Sequence, residues 1–206
     1  MAQVTLELIQ QLREKTGVGM MDCKKALIEA DGDIPEDINL LRKKGAALAE
    51  KRSGNATMEG LIHAYIHPGA RIGVMLEINC ETDFVARTED MTRFAQDICM
   101  HIAALKPLYV SPESVDGAFL EKERLFFREQ LVAAGKPEKM IEQIVEGKVN
   151  KVYADVCLMQ QSFVKNDQIT VDDLLKELIA RMGESIKIKR FTRFEIGGYY
   201  GKLYFC

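Results

Sequence analysis

The hydrophobic positions of the first 54 residues recur every three or four residues, which is the spacing of one face of a helix. Leu6, Ile9 and Leu12 mark the first helix in this way. Breaks rich in glycine and aspartate at residues 16–19 and 31–33 divide the segment into three helices, which are expected near residues 6–15, 20–30 and 34–52. Small and polar residues at 53–55 indicate a linker, so residues 1–54 are predicted to form a three-helix domain.

After the linker the hydrophobic period changes from helical to alternating. Alternation at residues 61–67 and 72–80 around a Pro68-Gly69-Ala70 turn predicts a β-hairpin, and residues 186–196 alternate again as a last strand. Helical periods return between these strands at about residues 88–105, 119–134, 140–156 and 170–182. The short Gly135-Lys136-Pro137 break predicts an antiparallel helical hairpin over about residues 117–160.

These patterns predict an α+β fold class. The three-helix domain is followed at residues 55–197 by an α+β core domain with antiparallel strands and the long helical hairpin. Residues 198–206 form a short aromatic C-terminal tail.

Composition and charge argue against several classes of protein. The chain has 28 basic and 31 acidic residues in 206, a formal charge of −3, which disfavours a general polyanion binder. Its five cysteines contain no Cys-x-x-Cys pair, so neither a disulfide framework nor a zinc knuckle is indicated. We find neither a signal-peptide pattern nor an apolar run of about 18 residues that would suggest a membrane span. We therefore expect a cytoplasmic protein with few catalytic groups.

The residues that could carry chemistry favour ordinary structural roles. Gly17-Val18-Gly19 lacks the preceding strand and the Lys-Ser/Thr of a phosphate loop, so it is interpreted as a turn between helices. His101 is expected to be a half-buried packing residue, and an enzyme built on Cys80 or Cys99 lacks a base and an oxyanion site. A basic side of the last strand is interpreted as a solvated face rather than a nucleic-acid site; it comprises Lys187, Lys189, Arg190 and Arg193.

Two short stretches leave a choice open. Met20 and Met21 are adjacent at a helix start, so at least one should be exposed, either as an adaptable contact residue or as an ordinary surface methionine. At the strand-to-helix corner Thr82-Asp83-Phe84-Val85, Asp83 could cap the next turn while Phe84 packs inward. Alternatively, an acid beside a large aromatic on a protruding corner could enter a partner protein.

Two long segments resemble the signatures of the translation elongation factor Ts family. The first is LREKTGVGMMDCKKAL at residues 12–27, and the second is NCETDFVA at residues 79–86. The segments MHIAA at 100–104, GKP at 135–137 and IVEGK at 144–148 also resemble the family. The resemblance extends from Thr5 to Gly197, which is nearly the whole chain.

This resemblance implies a guanine-nucleotide exchange factor that acts on elongation factor Tu, in its GDP-bound and nucleotide-free forms. It implies that the first domain is a ubiquitin-associated-like docking domain, whose Arg13, Met20 and Met21 contact the partner. Within the corner formed by Thr82, Asp83, Phe84 and Val85, the pair Asp83 and Phe84 would enter near the partner's magnesium. His67 would press toward its phosphate loop.

The resemblance also implies that the protein needs no cofactor, is not an enzyme, and binds neither nucleic acid nor a membrane. Longer family members carry two copies of the core module, whereas this chain has one, so a homodimer that pairs through the last strand is expected. The alternative function is a protein- or RNA-binding adaptor of the translation machinery that does not promote exchange.

Overall fold

The computed structural model describes residues 4–197, so the predicted tail at 198–206 lies outside the described residues. The helices are α1 Leu6–Thr16, α2 Met20–Glu29, α3 Ile34–Arg52, α4 Asp83–Ala86, α5 Glu89–Leu105, α6 Gly117–Ala133, α7 Glu138–Val156 and α8 Val171–Met182. The strands are β1 Glu59–Ile66, β2 Ile72–Cys80, β3 Ser162–Phe163, β4 Asn166–Thr170 and β5 Ile186–Glu195. The predicted α+β fold class is confirmed.

The three N-terminal helices form because each boundary is set by local chemistry. The Thr5 hydroxyl accepts a hydrogen bond from the Leu8 amide and caps α1, and Asp33 caps α3 through the Glu36 amide. Gly17 ends α1 with φ +69°, the left-handed conformation that glycine adopts without strain. A common core holds the helices together and consists of Ile9, Leu12, Val18, Cys23, Ala26, Leu27 and Leu41.

Three strands form one sheet in the order β1-β2-β5. A five-residue turn joins β1 to β2, a connection short enough only for antiparallel strands. The Ile196 amide, just after β5, donates to the Arg71 carbonyl, just before β2, at 2.9 Å, so β5 also runs antiparallel to β2.

Helices α6 and α7 form the predicted helical hairpin. Four residues make up its buried seam, namely Leu131, Ile141, Val145 and Val149. Gly135 has φ +69° in the connection between the helices.

The basic side predicted for the last strand is wrong at Arg193. This guanidinium donates to the Ala103 carbonyl of α5 at 3.1 and 3.3 Å and to the Glu195 carboxylate at 2.7 Å. Its side chain is only 13% exposed. Phe194 points the other way, to the exposed face. The inward-facing positions are even-numbered at the start of β5, at Ile186 and Ile188, but odd-numbered near its end, at Arg193. The alternation of β5 therefore changes phase along the strand.

The prediction of a half-buried His101 is also wrong, because the residue is fully buried. Its Nε2 lies 2.9 Å from Gln161 Oε1, and its Nδ1 accepts the Val164 amide at 3.2 Å. The ring stacks on Phe163 with centroids 6.1 Å apart. These contacts connect α5 to the antiparallel β3–β4 hairpin, which the hydrophobic pattern did not predict.

By its internal contacts the chain divides into two units. The first comprises residues up to 62, 77–95 and 173–188, and the second comprises 63–76, 96–172 and those from 189 on. The first unit therefore contains both the N-terminal helices and the corner at 82–85. The predicted domain boundary near residue 54 stays a prediction.

Candidate docking site

The corner at residues 82–85, hereafter the TDFV turn, follows directly from the end of β2. Thr82 has extended backbone, and its hydroxyl accepts the Val85 amide at 3.5 Å, which caps the four-residue helix α4. Val85 is buried and anchors the turn, whereas the Phe84 ring is 82% exposed. Thr82 rather than Asp83 is therefore the cap, and the inward-packing alternative for Phe84 is wrong.

Asp83 is the acidic neighbour of this exposed ring. Its carboxylate forms an ion pair with Arg87 one helical turn later, at 3.0 Å. Since the Asp83 side chain is nearly half exposed, its ion pair with Arg87 contributes little to stability. The carboxylate can therefore exchange Arg87 for another cation. The TDFV turn thus presents an aromatic ring beside a carboxylate.

Two glutamates hold the base of the TDFV turn. Glu184 accepts the Thr82 amide at 3.0 Å and the Thr82 hydroxyl at 2.7 Å. Glu81 accepts the Ser185 amide at 2.6 Å, and this hydrogen bond is the main reason why the pKa of Glu81 lies below its ordinary value. Glu184 is not predictable as a site residue from the sequence, because no local pattern indicates a contact between residues 102 positions apart.

Met20 and Met21 begin α2 and are both exposed, at 39% and 64%. Helix α2 turns its Cys23, Ala26 and Leu27 side toward the core, which leaves this end of the helix free to contact another molecule. The structure thereby confirms that at least one methionine is exposed, while their role in binding stays a prediction.

Arg13 is exposed on the last turns of α1, where it lines an open cleft of about 730 Å³. Arginine and lysine predominate over acidic residues among the charged groups of this cleft; the charged set is Arg13, Glu14, Lys15, Asp90, Arg93 and Arg181. Arg181 donates to the Asp90 carboxylate at 3.0 Å.

His67 lies in the second unit, where the turn between β1 and β2 begins. Its amide donates to the Ile72 carbonyl at 2.9 Å, and its Nδ1 lies 2.9 Å from the Tyr65 hydroxyl. The two rings meet edge to face with centroids 6.0 Å apart. The imidazole is therefore both exposed and oriented by its neighbours.

The buried thiols do not support an enzyme based on cysteine. Burial raises the pKa of Cys99 to about 12 and also raises the pKa of Cys80, so both remain protonated and unreactive at neutral pH. Within residues 4–197 we find no group of three or more histidine, cysteine or acidic residues arranged to hold a metal ion. In the same range, no helix combines the length and apolar character needed to cross a membrane.

Comparisons with known proteins agree over nearly the whole chain. The family model described as "Elongation factor TS" matches residues 3–198. The elongation factor Ts of Desulfotalea psychrophila is 53% identical over 94% of this chain and 98% of its own length. That of Desulfosudis oleivorans is 51% identical over 96% of this chain and 100% of its own length. The protein of the same name from Carboxydothermus hydrogenoformans is 53% identical over 94% of this chain and 89% of its own length.

Proposed function

The chain belongs to the elongation factor Ts family, and we propose that it is a guanine-nucleotide exchange factor for elongation factor Tu. It binds the GDP-bound form, promotes GDP release and stays bound until GTP enters. The observation that carries this proposal is the TDFV turn, which exposes 82% of Phe84 while Val85 and two glutamates fix its base. Exposure of a large aromatic side chain to water is unfavourable, so a ring held in this way is suited to insertion into a partner.

The mechanism is displacement of the partner's magnesium ligands. Magnesium bridges the phosphates of a bound nucleotide and protein ligands, and it requires near-ideal octahedral geometry. Entry of Phe84 and Asp83 beside this ion shifts its ligands and weakens the binding of both the metal and GDP. By linkage, GDP weakens factor binding in the same ratio, and a 1000-fold effect corresponds to about 4 kcal/mol of coupling.

The remaining contact residues dock the protein before this insertion. Arg13, Met20 and Met21 are exposed on the N-terminal helices and are assigned to the initial contact with the nucleotide-binding domain of the partner. His67 is assigned to the partner's phosphate loop, for which its oriented ring is suited. Because elongation factor Tu acts in protein synthesis, we place this activity in the cytoplasm.

The proposal is tested by the release of labelled GDP from elongation factor Tu. We expect the wild-type protein to accelerate release, and the double variant Asp83→Ala with Phe84→Ala to reduce the stimulated rate at least about 30-fold, as for loss of a central contact worth about 2 kcal/mol. Phe126→Ala is the matched control, because Phe126 is 55% exposed but lies on α6. Wild-type protein that leaves the release rate unchanged would contradict the proposal.

The same assay addresses the adaptor alternative. An adaptor would bind elongation factor Tu, or an RNA of the translation machinery, without accelerating GDP release. A binding measurement on the same samples therefore separates an adaptor from an inactive preparation.

We also propose that the protein acts as a homodimer. Its support is an exposed apolar face on the second-unit part of the sheet. Ile66 lies over Gly73, where an added Cβ would come within 3.1 Å of the Ile66 Cδ1 atom, and Met75 follows on the same face of β2. Phe194 of β5 is exposed as well. A second copy of the chain would cover this face and supply the second core module.

A further inference from the structure

We propose that Glu184 is a positioning residue for nucleotide exchange, which holds the TDFV turn in its protruding form before the partner arrives. This inference rests on the proposed exchange function, because it assigns a role to a residue that does not itself enter the partner. Glu184 acts through Thr82, and Glu81 braces the same site from the opposite direction.

The geometry of Glu184 is that of a two-oxygen clamp. One carboxylate oxygen accepts the Thr82 amide at 3.0 Å, and the other accepts the Thr82 hydroxyl at 2.7 Å. Hydrogen bonds to an ionised acceptor are stronger than neutral ones. The clamp therefore fixes both the backbone and the side-chain rotamer of the residue that caps α4.

The clamp is reciprocal between two short segments. Glu184 binds the amide of Thr82, while Glu81, the residue before Thr82, binds the amide of Ser185, the residue after Glu184, at 2.6 Å. Each segment thus supplies one carboxylate and one amide. Gly183 makes this approach possible, because it leaves α8 with φ +72° and sends the chain sharply toward Thr82.

The brace extends to the end of the N-terminal helices. Arg52, the last residue of α3, donates to Glu81 Oε1 at 3.1 Å, and Asn55 donates to Glu81 Oε2 at 3.0 Å. Glu81 therefore receives three hydrogen bonds from two separate segments. The base of the TDFV turn is tied both to the exit of α3 and to the start of β5.

The TDFV turn needs such a brace because its own structure is weak. Helix α4 has only four residues, and a single helical turn is unfavourable by itself. Its backbone hydrogen bonds from Ala86 to Thr82 and from Arg87 to Asp83 are long, at 3.3 and 3.2 Å. Phe84 is too exposed to help by packing. Fixing the turn in advance avoids an ordering cost at the moment of insertion.

The test uses the GDP-release assay over a range of factor concentrations. We expect Glu184→Ala to lower the maximal stimulated rate about tenfold, equivalent to one charge-assisted hydrogen bond, with little change in the half-saturating concentration. Docking through Arg13, Met20 and Met21 remains intact in this variant. Glu184→Gln retains one acceptor oxygen and should recover part of the rate.

Thr82→Val tests whether Glu184 acts through Thr82. If it does, Glu184→Ala combined with Thr82→Val should lose less than the sum of the two single variants, since both remove the hydrogen bond between the Thr82 hydroxyl and the Glu184 carboxylate. Glu177→Gln is the matched control, because Glu177 is also half-buried in the first unit but binds Arg42 instead. It should retain the wild-type maximal rate.

The outcomes distinguish this inference from the proposed function. Inactive wild-type protein would overturn the exchange function itself. Active wild-type protein together with a fully active Glu184→Ala variant would overturn only the positioning role. Loss of rate in proportion to loss of folded protein, measured by circular dichroism at the assay temperature, would also overturn it. Fully additive effects of the Thr82 and Glu184 variants would do the same.

Discussion

At the scale of single residues, Asp37 is the least satisfied group that we find among residues 4–197. It is fully buried in the first turns of α3, and neither carboxylate oxygen has a hydrogen-bond partner. A buried polar group without a partner loses its hydration with no compensation. Burial, followed by repulsion from Asp33 and Glu36, raises the pKa of this carboxyl above its ordinary value.

We therefore expect Asp37→Ala to stabilise the protein. Removal of the unpartnered carboxylate should increase the free energy of unfolding by about 1–3 kcal/mol, and the higher helix propensity of alanine acts in the same direction. Urea denaturation at pH 7 provides the measurement. Asp33→Ala is the opposite control, because it removes the α3 cap and should destabilise by about 1 kcal/mol. A destabilised Asp37→Ala variant would show that this carboxylate has a partner in solution.

The difference in stability between the wild type and Asp37→Ala should depend on pH. Because the folded pKa of Asp37 is raised, the native state binds a proton more readily than the unfolded chain above pH 3.8. As the pH rises from 3.8 through the folded pKa, the carboxyl therefore lowers the free energy of unfolding of the wild type, and it has no such effect below pH 3.8. The advantage of Asp37→Ala should be largest at neutral pH and should shrink as the pH falls. An advantage that is constant from pH 7 to pH 4 would contradict this assignment.

At the scale of elements, His101 connects α5 to the β3–β4 hairpin within the second unit. Burial lowers the pKa of His101 below 6.5, and its Nδ1 is already occupied by the Val164 amide. If Nδ1 carried a proton, it would face the Val164 N–H group and could no longer accept its hydrogen bond. The polar contacts of the imidazole are with the Gln161 side-chain amide and the Val164 backbone amide, both of which are uncharged.

We expect this contact to make stability depend on pH. Because the folded pKa is lowered, the unfolded chain binds more protons than the native state just below pH 6.5. The contribution of His101 is thus fully present above pH 6.5 and is lost as the pH falls toward the folded pKa. His101→Gln, which does not titrate, should be less stable at pH 7 but should vary less from pH 7 to pH 5. Urea denaturation of both proteins across this range measures the difference, and parallel pH profiles would refute the role of His101.

The elements differ in how far their sequences determine them. The three N-terminal helices and the helical hairpin follow from strong local periods and turn residues, and their predicted limits agree with the structure to within a few residues. The β3–β4 hairpin was missed because a two-residue strand has no period to detect. The error at Arg193 arose because a change of phase within β5 moves every later side chain to the opposite face.

The candidate site was predictable only in part, for a similar reason. The resemblance located the TDFV turn, but the exposure of Phe84 depends on Thr82, rather than Asp83, being the helix cap. The contact of Glu184 with Thr82 is tertiary and leaves no local mark in the sequence. Long-range contacts of this kind require the fold.

At the scale of the whole molecule, the proposed homodimer predicts that its mass depends on Phe194. This ring is 56% exposed on the apolar sheet face, whereas Phe126 is 55% exposed on α6 of the helical hairpin. A charge placed in a buried apolar interface costs far more than the same charge in water. Phe194→Glu should therefore dissociate the dimer, while Phe126→Glu, of equal size and charge change, should leave it intact.

Light scattering over a range of concentrations measures this directly. The wild type and Phe126→Glu should have about twice the 23.2 kDa mass of the chain, and Phe194→Glu should have the mass of a single chain. A monomeric wild type would exclude the dimer, and a dimeric Phe194→Glu would move the interface elsewhere. If the second copy supplies part of the surface that meets elongation factor Tu, the monomeric variant should also require a higher concentration for half-maximal GDP release. Its TDFV turn is unchanged, so its maximal rate should fall less than that of the Asp83→Ala, Phe84→Ala variant.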